Sequence, residues 1–389
     1  MKRPAVISNK VTLTRDVLYF GRARKADAWF QDLQESIELV RGRDGFYRSF
    51  SHHNSSNLSY RPVKIAVIDT GLSTRPTARP PPLAQLYRQQ IKEFHCFLEG
   101  PKGAWKDIDG HGTHCAMLVL QVCPNAQLYI ARVVEKTGDA LDPVKVSDAI
   151  RHAVDQWNVD IISLSMGWGD DKQPVVDALN YAQSRKKLVF AATANSGARS
   201  TSGIMFPARR SNVISIDAAD GDGDFATGNP PNDRLVLRLA APGDSVLSAF
   251  PYHLDSTGSR RMSGASVATP IAAGLVGLIL EFARQPPLRY QPKVAEKLMD
   301  VDVLKHLLAQ KFSQPGTGGG GSFRFLTPRM TFHDRKGESG GDAHDTASAR
   351  YKAAEGIIQS LEYRSNEIRS LSVEELIAYR MLQPPYPPG

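Results

Sequence analysis

Between Val63 and Arg284, short apolar runs alternate with segments whose apolar residues recur every three or four positions. The runs at 63–68, 127–134, 159–164, 187–192, 213–216 and 235–240 predict strands. The segments 111–121, 143–156, 174–185 and 266–282 predict helices. Strands this continuously apolar suit burial on both faces. Their alternation with helices predicts an α/β fold, a mainly parallel central sheet covered on both sides in three α/β/α layers. Reactive side chains in such sheets sit at the carboxyl ends of the strands.

The pattern changes outside this region. Trp29, Phe30, Leu33, Ile37 and Val40 predict an amphipathic helix over 26–41, and a polar stretch at 51–59 separates it from the alternating region. Gly316-Thr-Gly-Gly-Gly-Gly-Ser322 predicts a flexible connection. Ile357, Ile358, Leu361, Ile368 and Leu371 fall near one helical face, and Ser372-Val-Glu-Glu375 has the form of a capping box. The expected division is a helical extension (1–60), a main domain (61–311), a Gly-rich flexible linker (312–347) and a helical tail (348–389). A removable pro-segment is the alternative for 1–60. Intramolecular docking of the two terminal helices is one expectation, and a partner-binding tail the other.

Charge adds little to this picture. The 48 basic and 40 acidic residues give +8, but the basic residues are scattered in pairs and triplets, so no nucleic-acid partner is expected. The first ten residues lack the apolar run of a signal peptide, and the apolar stretch at 271–280 is short and Gly-interrupted, so no membrane association is expected. Three cysteines make an odd, small set, which argues against a disulfide framework and for a cytoplasmic protein.

Three segments carry candidate chemistry: Val63-Lys-Ile-Ala-Val-Ile-Asp69-Thr-Gly71, His111-Gly-Thr-His114 and Gly264-Ala-Ser266-Val-Ala-Thr-Pro270. A serine hydroxyl needs a base to become a nucleophile, and an imidazole base needs a carboxylate to hold its tautomer. Asp69, His111 and Ser266 supply that set in the order acid, base, nucleophile. In Ala191-Ala-Thr-Ala-Asn195-Ser-Gly197 a strand ends in an asparagine whose amide can donate to an oxyanion, with the backbone amide of Ser266 as second donor.

With these blocks in this order, the chain resembles the subtilisin-like serine peptidases over roughly residues 61–284. The resemblance implies a subtilisin-like fold, a triad of Asp69, His111 and Ser266, and Asn195 as oxyanion donor. It makes Ser165-Met166-Gly167 the extended segment that pairs with substrate backbone. Met205 would stand at the base of the primary specificity pocket and keep it shallow. Three positions depart from the family pattern: Met117, Ala194 and Ala265. No cofactor is implied. The loop that supplies the strongest calcium site in bacterial relatives is missing near Met117–Pro124, so no metal is expected there. Asp220-Gly-Asp-Gly-Asp224 could hold a hard cation or be a plain acidic turn. Cys115, one turn after His111, reads as a buried thiol or as a thiol beneath the base. His114 is expected to be structural, and His52-His53 lacks further ligands at metal spacing. The implied activity is endopeptidase cleavage of extended polypeptide substrates through an acyl-enzyme. The rival reading is a weak or inactive peptide-binding module of a larger signalling or defence protein.

Overall fold

The computed structural model describes residues 8–41, 61–73, 87–100, 106–193, 203–231, 237–318, 323–328 and 343–362. In chain order the elements are α1 (Ser8–Arg41), β1 (Lys64–Asp69), β2 (Ile91–Cys96), α2 (His111–Val122), β3 (Gln127–Arg132), α3 (Pro143–Asp155) and β4 (Ile161–Leu164). Next come α4 (Gln173–Ser184), β5 (Leu188–Ala192), β6 (Ile214–Ala219), β7 (Leu239–Pro242), β8 (Val246–Ala249), β9 (Ser259–Met262) and α5 (Ala265–Ala283). The last are α6 (Pro292–Lys297), α7 (Val301–Lys311), β10 (Ser313–Pro315), β11 (Arg324–Leu326) and α8 (Ala343–Glu362).

Among the described residues, one nine-stranded sheet runs in the order β10-β11-β7-β6-β5-β4-β1-β3-β2. All its ladders are parallel except β10 with β11. Alternate residues of each strand enter opposite cores, as the two-residue period of a strand requires. Ile65 and Val67 of β1 join Leu128 and Ile130 of β3 beneath α2 and α5. Ala66 and Ile68 join Tyr129 and Ala131 beneath α3 and α4. The three-layer α/β/α arrangement expected from the alternation is therefore the one observed. α5 is long and apolar enough to cross a membrane by length and composition, yet it is wholly buried in the molecule.

The sheet also contains strands that the pattern did not reveal. β2 is an edge strand whose residues are mostly half-buried or exposed, so it lacks the apolar run that marks a central strand. β10 and β11 lie inside the segment expected to be a flexible linker. The glycine run falls between them, and its flanks Phe312, Phe323, Phe325 and Leu326 are buried. Residues 319–322 of that run lie outside the described residues, and apolar burial on either side decides where the sheet ends. The expected strand at 235–240 is displaced to Leu239–Pro242. The expected capping box at 372–375 and the polar stretch at 51–59 lie outside the described residues.

Both terminal helices pack into the larger core. Ala26, Trp29, Leu33, Ile37 and Val40 of α1 are buried there, with Ala354, Ile357, Ile358 and Leu361 of α8. The Trp29 indole donates to the Leu326 carbonyl at 3.1 Å, and Ser36 Oγ to that of Pro328 at 3.1 Å. Arg350 of α8, 3% exposed, closes the junction. Its guanidinium donates to the carbonyls of Leu39 and Val40 at the end of α1, to Gln285 Oε1 at 3.0 Å and to the Pro286 carbonyl at 3.0 Å. The last carbonyls of a helix have no partner within it, so a cation placed there satisfies them and offsets the helix dipole. Arg350→Ala is expected to cost about 3 kcal/mol by leaving these acceptors buried and unmet. A lowered denaturant midpoint at unchanged slope is the readout; an unchanged midpoint would exclude this role.

Candidate active site

Asp69 ends β1. The register of Ile68 against Leu164 and of Asp69 against Arg132 sets Asp69 at the carboxyl edge of the sheet, level with Ser165 after β4. Asp69 is 3% exposed, and its Oδ1 accepts from the Thr70 backbone amide at 2.7 Å. His111 begins α2 and places Nδ1 2.8 Å from Oδ1 and 3.0 Å from Oδ2 of Asp69. Gly112 makes that approach possible, because a Cβ there would lie 2.4 Å from the Gly71 carbonyl oxygen.

A second carboxylate, unforeseen from the sequence, holds the start of α2. Asp107 is fully buried and accepts from Thr70 Oγ1 (2.9 Å), Gly110 N (2.8 Å), Thr113 N (2.8 Å) and Thr113 Oγ1 (2.6 Å). Thr70 Oγ1 in turn accepts from Gly112 N at 2.8 Å. Asp107 thus caps the helix that carries His111 and ties it to the strand that carries Asp69. The only sequence signal was an aspartate four residues before the histidine, a common arrangement.

Ser266 is the second residue of α5, after Gly264 at φ +136°, a conformation that favours glycine. Pro270 lies four residues on and has no N–H to return to the Ser266 carbonyl. That freed oxygen accepts from Ser165 Oγ at 2.7 Å and from Cys115 Sγ at 3.4 Å. The same sulfur lies 3.8 Å from Nδ1 and 3.9 Å from Nε2 of His111. Cys115 therefore touches both the ring of His111 and the residue Ser266, beneath the site. Among the described residues, Asp69, His111 and Cys115 also form a group of potential metal ligands.

Burial works against a charged His111, but the Asp69 carboxylate outweighs it and holds the imidazole well above the usual histidine range. Burial pushes the Cys115 thiol up, so around neutrality it is an uncharged donor and the charge acting on His111 is that of Asp69. His114 faces the other way. Burial, then repulsion from His111, pushes it down to about 4. Its Nε2 lies 3.2 Å from the Val246 carbonyl and 3.1 Å from that of Arg260, pinning α2 to the β8–β9 hairpin.

Asp69, His111, Ser165, Met166, Gly167 and Met205 line one cleft of about 340 Å³. Met205 is half-buried at its wall, where its amide donates to the Thr193 carbonyl at 2.8 Å. Trp168 and Phe206 exchange backbone hydrogen bonds of 2.7 and 2.9 Å, joining the Ser165–Gly167 segment to the Met205 segment. A Cβ on Gly167 would lie 2.6 Å from the Phe206 carbonyl oxygen. Asn195 and Ala194 lie outside the described residues. Thr193, two positions before Asn195, donates from Oγ1 to Asp217 Oδ1 at 2.6 Å. Asp217 is fully buried in an ion pair with Arg238, whose Nε lies 2.6 Å from Oδ2. Neither charge was singled out in the sequence, since only the fold brings β6 and β7 together. Of the family departures, Met117 is fully buried in α2 and Ala265 is 1% exposed in α5, so both pack in the interior.

The arrangement places a carboxylate–imidazole pair and the Ser165–Gly167 segment around one cleft of an α/β/α sandwich, with the residue Ser266, at a helix start, tied to that segment and to Cys115 through its carbonyl. The Subtilase family model matches residues 61–325, more than half of the chain. The chain belongs to the subtilase family. It is 31% identical over 226 residues to the alkaline protease of Alkalihalobacillus alcalophilus, across 56% of this chain and 53% of that protein. The chain thus spans about half the length of that relative. It is 27% identical over 312 residues to the major intracellular serine protease of Bacillus subtilis, across 76% of this chain and 88% of that one. A mutant of the protease domain of PatA shares the fold, with TM-score 0.53 and 21% identity over 69% of this chain and 93% of that chain.

His114 yields a pH-dependent contribution to stability. Its folded pKa of about 4 lies below the unfolded value of 6.5, so the unfolded state binds more protons between them. The contribution is complete above pH 6.5 and is lost as pH falls towards 4, by about 3 kcal/mol. Glu281, pushed by burial up to about 7, titrates with the opposite sign, so the comparison must be with a variant. His114→Asn is expected to close its stability gap to the wild type as pH falls from 6.5 to 4. A gap independent of pH would contradict this.

Proposed function

We propose that this chain is a serine endopeptidase acting on extended polypeptides, and that Asp69, His111 and Ser266 are its triad. The observation that carries the reading is the buried Asp69–His111 pair, set beside Ser266 through Cys115 and opening on the cleft lined by Ser165–Gly167. Ser266 Oγ attacks the scissile carbonyl carbon and passes its proton to His111 Nε2. Asp69 holds the tautomer and stabilises the imidazolium. The oxyanion is met by the Ser266 amide and the Asn195 side chain. The carbon–nitrogen bond then breaks, and the amine leaves with the proton from His111. Water, deprotonated by His111, releases the acyl group and restores Ser266.

The backbone of Ser165–Gly167 pairs with substrate as an added strand, and Met205 keeps the pocket shallow, favouring small or medium side chains before the scissile bond. No cofactor enters these steps. Likeness to a relative named an intracellular serine protease supports a cytoplasmic setting.

A fluorophosphonate probe is expected to label the wild type and not Ser266→Ala, with peptide hydrolysis lost in parallel. Labelling or hydrolysis undiminished in Ser266→Ala would falsify the assignment. The charge of Asp69 also sets a pH dependence. Because its carboxylate raises His111, the base form appears only above the usual histidine pKa, and the acidic limb of kcat/KM is expected on the alkaline side of 6.5. Asp69→Asn is expected to move that limb down and to cut kcat by about 10⁴-fold. A limb that stays in place would mean that another group controls it.

A further inference from the structure

A second cleft, of about 580 Å³ and larger than the first, opens beside the loop that leads into Ser266. Its floor includes Ser263, Gly264 and Ala265, and its outer wall is α1, through Gly21, Arg22 and Lys25. Facing that wall are Asp220 and Asp224 of the acidic turn after β6, and Asp244 after β7.

α1 is keyed into this position by charge and by close packing. Lys25 Nζ lies 2.8 Å from Asp220, 3.0 Å from Asp222 and 3.7 Å from Asp224. Gly221 allows backbone to meet backbone, since a Cβ there would lie 2.0 Å from the Lys25 carbonyl oxygen. Arg22 pairs with Asp244 at 3.2 Å, and Asp27 with Arg261 at 2.7 Å. Asp244 also contacts Ser263 Oγ at 3.1 Å, which couples this wall to the nucleophile loop.

The position of the cleft suggests what enters it. The first cleft holds His111 and the Ser165–Gly167 segment, and the second is lined by Ser263, Gly264 and Ala265, the residues that lead into Ser266. The second cleft borders the three residues immediately before Ser266, so it lies within reach of a polypeptide whose acyl portion occupies the first. The lining sets three carboxylates against two cations. Both cations already have carboxylate partners, and Asp224 keeps 58% of its side chain exposed. The acidic turn also demonstrates the chemistry it accepts, because it already pairs with a primary ammonium group, that of Lys25.

We infer that this cleft receives the substrate residues that follow the scissile bond, with α1 as its wall, and favours lysine or arginine among them. The inference rests on the peptidase reading above. The test uses the full chain with peptides identical before the scissile bond and carrying Lys, Ala or Glu at the second or third position after it. Lys is expected to exceed Glu by about fivefold in kcat/KM at low salt, with the gap narrowing as salt is added. Asp224→Lys, at an exposed position, should reverse the order. Arg22→Ala should widen the preference by releasing Asp244. Equal rates for Lys and Glu in the wild type and in Asp224→Lys would overturn the inference. A small ester with methanol as leaving group separates the two readings, because it does not reach this cleft. Ser266-dependent ester hydrolysis without a Lys–Glu difference removes this inference alone. Absence of any Ser266-dependent hydrolysis removes the peptidase reading and this inference with it.

Discussion

The hydrogen bond that Pro270 cannot make organises the site. A proline in the first turns of α5 leaves the Ser266 carbonyl without a helical donor. A buried carbonyl must find a partner, and two other elements supply it: Ser165 after β4 and Cys115 in α2. One missing donor thereby fastens the serine helix to the cleft segment and to the histidine helix. The geometry around Ser266 follows from a backbone requirement, independent of any substrate contact.

A second constraint acts on the other half of the site. Asp107 collects donors from Thr70, Gly110 and Thr113, so the end of β1 and the start of α2 share one acceptor group. Asp69 and His111 belong to those two elements. Their short contact is the consequence of a cap, and the charge of Asp69 then sets the basicity of His111. The Asp217–Arg238 pair extends the same logic to β5, where it holds Thr193 at the strand end that precedes Asn195. Buried charges of this kind tolerate no loss of one partner, which favours a single arrangement of the strand ends.

The terminal segments belong to the same physics. α1 buries an apolar face in the core, and Arg350 satisfies its last carbonyls from α8. Lys25 and Arg22, on the same helix, meet carboxylates from the loops beside Ser266. The extension is thus packed against the loops beside Ser266 at one end and α8 at the other.

The sequence by itself determined the α/β alternation, the central strands, and the placement of Asp69 at a strand end and of His111 and Ser266 at helix starts. These features obey local rules: apolar periodicity, helix-start residues, and small residues at tight approaches. It also carried the amphipathic face of α1, though not the full length of that helix. Only the tertiary structure decided what depends on distant partners. β2, β10 and β11 gain their hydrogen bonds from the sheet rather than from their own pattern. Asp107, Asp217, Arg238 and Arg350 have no periodic signal, because a buried polar residue is defined by groups far away in the chain. The acidic turn at 220–224 could be read as a cation seat or as a plain loop, and Lys25, almost two hundred residues earlier, supplies the cation it meets. Local sequence specifies which residue types can react or pack. Folding alone settles which charges and carbonyls meet, because that pairing is enforced by the cost of burying them unpaired.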